Sequence, residues 1–514
     1  MSVSDSAPPK GPMRLLLGTL QGIERVGNKL PHPFWLFTIL AGFVVLLSAV
    51  LEWAGAFAVS PEDGERIEVQ SLVSREGVHM MLTDAVENFA TFPPFALIIT
   101  VMLGVAVAER GGLLNAMLRG SVVRVPPKYL TFMLAFTGVS ASVASDAAYV
   151  VLLPLGALAF QAVGRSPILG LIVAFGSVSA GYDASIFVTA TDVIFAGLSS
   201  DAARLITDGY TVSPLANYFF NVVSAIVLAL MITLVTEFVL TRRTQNMVAD
   251  GEGVDNTLGE MQLRPEERRG LLVTGIVFLV FVGVVVALLV PSNSWFRGED
   301  GGVISSPIIT GIAPVLGLLF LVTGYAYGRT VGTFTRAREV PAAMASGVRE
   351  LAPVIVLFFA AAQFLAYFGW SNMGTVLAIR GADVLGSAGV PSLVLLLAFV
   401  LLATVMNMFI TSGSAQWALI APVFVPMFML LNISPETTQA AYRIADSSTN
   451  LISPMSPYFV MALGFLQRYR KDAGIGTLIS LTLPISITVL LSWSAVFVLW
   501  WLFGLPLGPG VPIR

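Results

Sequence analysis

Apolar residues run through this chain in long blocks, and the polar residues that interrupt them are of two kinds. The first kind is charged and reads as loop: PEDGERIEVQ after Trp53, the basic connector from Glu109 to Lys128, and a linker at 244–269. The second kind is small, mostly uncharged, and lies inside apolar blocks. About 20 apolar residues suffice to cross a bilayer as a helix. On that measure spans are predicted from Pro33 to Trp53, from Phe92 to Ala108, from Pro167 onward, from Ser213 to Leu240, at about 270–291, 305–328 and 351–370, through a broken segment near Arg443 to Pro457, and at 475–503.

The small polar knots are TGVSASVASD (Thr137–Asp146), GSVSAGYDAS (Gly176–Ser185), NMFITSGSAQWALIAP (Asn407–Pro422) and RIADSSTNLISPMSP (Arg443–Pro457). A continuous spanning helix has no use for such a knot. Two half-helices that meet inside a membrane do, because their free backbone ends need partners and close approach. The first and third knots sit mid-block and predict re-entrant hairpins with tips near Ser142 and Gly413. The second and fourth predict discontinuous helices. Ser142 to Ser179 is 37 residues, and Gly413 to Asn450 is also 37. The predicted fold is an all-α polytopic membrane protein with nine transmembrane helices and two oppositely oriented re-entrant hairpins. Its halves form an inverted repeat, an arrangement typical of secondary transporters. The predicted parts are an N-terminal segment 1–32, a first repeat 33–243 with its hairpin at about 129–162, the linker 244–269, a second repeat 270–504 with its hairpin at about 391–431, and a tail 505–514.

Composition agrees with the pattern. Of 514 residues 56% are hydrophobic and 11% charged, against about 25% charged in a soluble domain; mean hydropathy is +0.84. Among the 28 Lys and Arg, only Arg66, Arg75, Arg204, Arg297, Arg380 and Arg514 fall on one side and Arg443 at membrane depth. The rest fall in the N-terminal tail and the segments on the other side, which predicts a cytoplasmic N-terminus and a C-terminus outside. No cleavable signal is read at residues 1–30. With no Cys and only His32 and His79, disulfides, thiolate metal sites and His-based metal sites are not expected. P-loop, G-x-S-x-G and H-E-x-x-H patterns are absent, which argues against ATP-driven transport and a membrane-embedded enzyme. Nothing suggests nucleic acid.

Candidate chemistry gathers at the knots. Half-helix N-termini suit an anion, whereas carbonyl ends and hydroxyls suit Na⁺. Ser142, Ser145 and Asp146 at the first tip, with Ser412 and Gly413 at the second, are candidate Na⁺ ligands; close packing of small residues is the plainer alternative. Asp183 is an ionisable group at membrane depth, hence a functional candidate that could carry a proton, pair with Arg443 or bind a substrate donor, unless it caps the following half-helix. Arg443 offers a fork for a carboxylate, and Asp446, three residues on, could hold that fork or carry a proton. Asn450 adds an amide, Ser414 a hydroxyl and Trp417 a ring that could stack on an aromatic substrate. Pro435, Pro454 and Pro457 set helix breaks. Glu52, Glu109 and Glu237, at span edges, read as snorkelling or solvated.

The segments SASVASDAAYVVLLPL, SAGYDASIFVTATD, SGSAQWALIAPVFVPM and YRIADSSTNLISPMSPYF resemble the aminobenzoyl-glutamate transporter (AbgT) family, within a superfamily of hairpin-containing ion-coupled carriers. The resemblance covers nearly the whole chain. It implies a homodimeric inner-membrane carrier of small aromatic solutes, importing p-aminobenzoyl-glutamate or exporting sulfonamide antimetabolites, and it maps functional residues onto Asp183, Ser414, Trp417, Pro435, Arg443, Asp446 and Pro454. The first tip departs from the superfamily, since Val143 and Ala144 follow Ser142. Taken together, the sequence predicts a secondary active transporter driven by H⁺ or Na⁺, with no other cofactor. A Na⁺-coupled dicarboxylate carrier of the same architecture and, more remotely, an ion channel are the alternatives.

Overall fold

The computed structural model describes residues 31–61, 64–122, 125–244, 247, 262–303 and 305–514. Most of the predicted N-terminal segment and of the 244–269 linker, and Arg124 between them, lie outside these residues.

Among the described residues the regular structure is helical apart from a two-stranded antiparallel hairpin, Phe57–Val59 paired with Arg66–Glu68, and a lone bridge near the C-terminus. In the first half the helices are α1 (Pro33–Trp53), α2 (Arg75–Thr83), α3 (Pro93–Arg110), α4 (Leu113–Val122), α5 (Leu130–Val139), α6 (Ala147–Ala162), α7 (Pro167–Ala180), α8 (Ala190–Ala203) and α9 (Tyr218–Val235), the last continuing through a wider turn to Thr244. The second half has α10 (Pro265–Leu289), α11 (Ile312–Val331), α12 (Glu339–Glu350), α13 (Ala352–Trp370), α14 (Met373–Ser387), α15 (Ser392–Asn407), α16 (Gly413–Met429), α17 (Pro435–Thr449), α18 (Pro457–Tyr469) and α19 (Ile475–Phe503).

Among the described residues seven helices are long and apolar enough to cross a membrane: α1, α3, α9 with its extension, α10, α11, α13 and α19. The other two predicted crossings are pairs of short helices, α7 with α8 and α17 with α18. Both hairpins are present, α5–α6 and α15–α16. The base of the first is tied to the far end of α9, where Arg165 reaches Glu237 at 2.9 Å and Thr131 at 2.8 Å. The base of the second, at Leu430, borders a cleft at the opposite end with Leu205, Ile206 and the start of the β-hairpin region. The hairpins therefore enter from opposite ends.

Several loops hold more helix than their charge suggested. The basic connector contains α4, and the polar segments after α11 and α13 contain α12 and α14. Each has charged residues on one side and buried apolar ones on the other, so mean polarity hid an amphipathic pattern.

The helices sort by contact into two groups. One is built from α1, α3, α10, α11, α12 and α13, with α3 against α11, α11 against α10, and α13 against α1. There α3 and α11 touch backbone to backbone: a Cβ on Gly104 would overlap the Gly317 carbonyl, the close approach that small residues allow between membrane helices. The other group holds both hairpins, both broken helices, α9 and α19; α6 packs on α7, α16 on α8, α15 on α17, and α9 and α17 on α19. Ser486 on α19 donates to the Ser448 carbonyl near the end of α17 at 2.6 Å. The groups meet mainly where α8 packs on α3, and α14, which follows α13, packs on α16.

Candidate functional site

The first break spans 181–189. α7 stops after Ala180, and α8 begins behind a capping box in which Thr189 Oγ1 accepts the Asp192 N–H at 3.4 Å and Asp192 Oδ2 accepts the Thr189 N–H at 2.7 Å. The cap is thus Thr189, not Asp183. Asp183 sits within the break, 3% exposed. Its N–H donates to Ser447 Oγ at 3.0 Å, and neither carboxyl oxygen has a hydrogen-bond donor.

The second break spans 450–456, later than predicted. α17 runs unbroken through Arg443 and Asp446, with Ser434 as cap and Pro435 at its first position, where a missing N–H costs nothing. Pro454 lies inside the break, and Pro457 starts α18. α17 is regular here, so Arg443 and Asp446, three residues apart, start from one face, yet their side chains take different partners. Arg443 is 1% exposed and turns to α8: its Nη1 is 2.7 Å from Asp192 Oδ1, and its Nη2 donates to Gln439 Oε1 at 3.1 Å. A long contact of 3.4 Å joins Nη1 to the Asp183 carbonyl. Asp446 meets the second tip instead. Its carboxyl lies against that of Asp183, within reach of a shared hydrogen bond if either holds a proton.

At the second tip Ser412 caps α16. Tyr442 Oη donates to the Gly413 carbonyl at 2.7 Å, and Asn407 Nδ2 to the Asp446 carbonyl at 2.5 Å and Asn450 Oδ1 at 3.0 Å. A Cβ at position 413 would lie 2.5 Å from Asp446 Oδ2, so only glycine lets the carboxyl rest on the tip. Asn407 Oδ1 is buried without a partner. Trp417 is fully buried: its Nε1 donates to Ser199 Oγ at 3.1 Å, and its ring stacks on Tyr442 with centroids 4.5 Å apart.

At the first tip a short turn, Ala141–Ala144, leads to Ser145 at φ +47°. A serine there stores strain of about 1–3 kcal/mol, which tends to collect at functional sites. The Ser140 and Ser142 hydroxyls are buried without partners. Asp146 accepts a hydrogen bond from Tyr458 Oη, and the Tyr458 ring lies flat on Tyr149, centroids 4.1 Å apart.

These parts surround one cavity of about 670 Å³. Ser142, Ser145 and Asp146 line it from the first tip, Ser412, Gly413 and Ser414 from the second, and Asp446 and Asn450 from beside the second break. Of the sequence-derived candidates, Asp183, Trp417, Pro435, Arg443 and Pro454 stand behind this wall rather than in it. Arg443, expected to offer its fork to a solute, is occupied by Asp192, and Trp417, expected to face a ring, is enclosed by Tyr442 and Ser199.

The chain matches the model of the AbgT putative transporter family over residues 18–514. It is 39% identical over 496 residues, 96% of this chain and 97% of the relative, to the p-aminobenzoyl-glutamate transport protein of Escherichia coli (strain K12). The chain belongs to the AbgT transporter family. Two solved AbgT-type structures resemble it along their whole length. The Alcanivorax borkumensis YdaH transporter has a TM-score of 0.88 and 41% identity, covering 93% of this chain and 100% of that one. Neisseria gonorrhoeae MtrF, presented with a class of antimetabolite efflux pumps, has a TM-score of 0.90 and 39% identity, covering 96% and 100%. The membrane-transporter reading of the sequence thus holds.

Some residues in or behind the cavity wall of this AbgT member were missed in the sequence. Asp192, behind the wall with Arg443, was not among the candidates, although Thr189-x-x-Asp192 is a helix-start signal. Tyr149, Tyr182 and Tyr458 supply the aromatic wall that Trp417 was expected to supply; each lies in a quoted motif. Glu109, read as a solvated edge residue, also lines the cavity, as does Glu350, whose Oε1 is 2.6 Å from Arg110 Nη2.

Proposed function

We propose that this chain is a gradient-coupled secondary transporter of small arylamine solutes, p-aminobenzoyl-glutamate and sulfonamide antimetabolites among them. The observation that carries the reading is the single cavity in which both hairpin tips meet Asp446 and Asn450. A broken-helix site of this kind offers free backbone ends and moves with its hairpins as a unit.

Coupling is assigned to the Asp183–Asp446 pair. Two buried carboxylates in contact repel, and a proton or a Na⁺ relieves the repulsion. Na⁺ at the second tip would draw on Asp446, Asn450 and the free Asn407 Oδ1, with Ser412 and Gly413 beside them; Ser142, Ser145 and Asp146 are the counterpart at the first tip. Among the described residues the cavity wall carries the carboxyl groups of Glu109, Asp146, Glu350 and Asp446 and no basic side chain, with Arg110 paired to Glu350 at the rim. An anion enters such a wall only when positive charge enters with it, which is symport by electrostatics. Trp417, Arg443, Pro435 and Pro454 act by holding α17 and the tip in place, while Ser414 and Asn450 face the solute.

The loop charges favour a cytoplasmic N-terminus, a C-terminus outside, and a cavity rim at Arg110 and Glu350 open to the cytoplasm. We place the protein in a bacterial inner membrane as a homodimer, with the almost uncovered α10 available to lipid or the second copy.

The test is uptake of labelled p-aminobenzoyl-glutamate into proteoliposomes under an imposed proton or sodium gradient alone. One gradient should drive saturable accumulation; equal flux without either overturns the coupling. Strong competition by succinate would favour the dicarboxylate alternative.

A further inference from the structure

The first hairpin tip and α18 form a small construction of their own inside the cavity. Asp146 receives the Tyr458 hydroxyl on Oδ1, while its Oδ2 accepts no hydrogen bond among the described residues. Ser142 lines the same cavity at 5% exposure, and its hydroxyl has no partner. A buried hydroxyl without a partner loses about 1–3 kcal/mol relative to one that is satisfied, so it marks a place where a polar group from outside the chain belongs. Beside these two acceptors stand Tyr149 and Tyr458, parallel to within 4° and held by Ser179 Oγ on the Tyr149 hydroxyl at 3.3 Å. Tyr182 adds a third ring to the wall.

The stacked rings touch each other and form an aromatic wall that ends in hydrogen-bond acceptors. The Asp146 carboxylate repels an anionic end group, and the Ser142 hydroxyl can accept from an N–H donor. They suit a neutral primary amine on an aromatic ring, which has two N–H donors and an apolar body. We propose that the first hairpin tip, through Asp146 and Ser142, is the arylamine subsite of the cavity, with the substrate ring against Tyr149 and Tyr458. The proposal rests on the arylamine reading above and adds an orientation to it. The amine end points to the first tip, and like charge on Asp146 and Asp446 keeps any carboxylate tail away from both. The same subsite serves p-aminobenzoyl-glutamate and an aniline-bearing sulfonamide, because they share only that end.

Equilibrium binding of p-aminobenzoyl-glutamate and of benzoyl-glutamate, which lacks only the amine, to the full chain in lipid nanodiscs tests this. The wild type should prefer the amine by at least about tenfold, the ratio equivalent to about 1.4 kcal/mol. Asp146→Ala should bring the ratio close to one. Ser142→Ala, a smaller change that preserves the Asp146–Tyr458 contact, should lower the ratio in the same sense and stands in if the first variant does not fold. Tight binding of both ligands by the wild type with a ratio near one would overturn the subsite and leave the transporter reading standing. A ratio that survives both substitutions would also overturn it. Binding of neither ligand would remove the arylamine reading itself, and the subsite with it.

Discussion

Arg443 Nη1 on α17 lies 2.7 Å from Asp192 Oδ1 on α8, and both side chains are almost fully buried. The pair fastens the half-helix after the first break to the half-helix before the second. Asp192 also holds the cap of its own helix through Thr189, so one carboxylate sets both the start of α8 and its docking.

Removing one partner leaves a buried charge alone, which typically costs about 3–5 kcal/mol. Asp192→Ala should therefore lower the thermal unfolding midpoint in detergent sharply. The double variant Asp192→Leu/Arg443→Leu should recover much of that loss. A single variant as stable as the wild type would show that the pair is not what holds the breaks together.

Asp183→Asn keeps the shape of the side chain and removes one of two contacting carboxyl groups. Gradient-driven accumulation in proteoliposomes should fall at least about a hundredfold, the low end of what a positioned proton-transfer group contributes. Exchange of labelled for unlabelled solute without a gradient should persist. Undiminished accumulation would take Asp183 out of the coupling step.

Gly413→Ala places a methyl group 2.5 Å from Asp446 Oδ2. Overpacking of this kind costs about 1–3 kcal/mol, and here the displaced atom belongs to the coupling pair. Transport should fall more than stability does. Transport measured at equal folded amounts decides it, and wild-type rates would mean the tip and Asp446 need not touch.

Trp417→Phe removes the hydrogen bond to Ser199 but keeps a ring against Tyr442. The loss should be about 1 kcal/mol of stability, with substrate affinity unchanged, because the ring stands behind the cavity wall. A large loss of affinity at unchanged stability would put Trp417 in contact with solute.

The hairpins and breaks were legible in the sequence because backbone chemistry forces them: small polar knots inside apolar blocks have few other uses in a membrane. What Arg443 does was not legible. Asp446, three residues on, was expected to hold its fork, yet Arg443 pairs with Asp192 on α8 and Asp446 rests on the tip. Partner choice across 251 residues, Asp192 to Arg443, leaves no periodic trace. Trp417 misled for a related reason. Its place beside the tip was read correctly, yet which way a helical side chain turns is decided by neighbours such as Ser199 and Tyr442. The tyrosines went unnoticed because an isolated Tyr in an apolar block looks like ordinary filling until three of them line one wall.

Helix α19 carries 29 residues without a break in its hydrogen-bonded run despite Pro484. At 1.5 Å per residue it is about 43 Å long, against a hydrocarbon slab of roughly 30 Å. It has to lean steeply or bend to keep its apolar ends out of water, and the angle depends on how thick the membrane is. Through Ser486 it holds the end of α17 next to Asn450 and the second break. Bilayer thickness is thereby wired to the geometry of the cavity, and lipids of different acyl length should change the turnover of a protein whose residues are all unchanged.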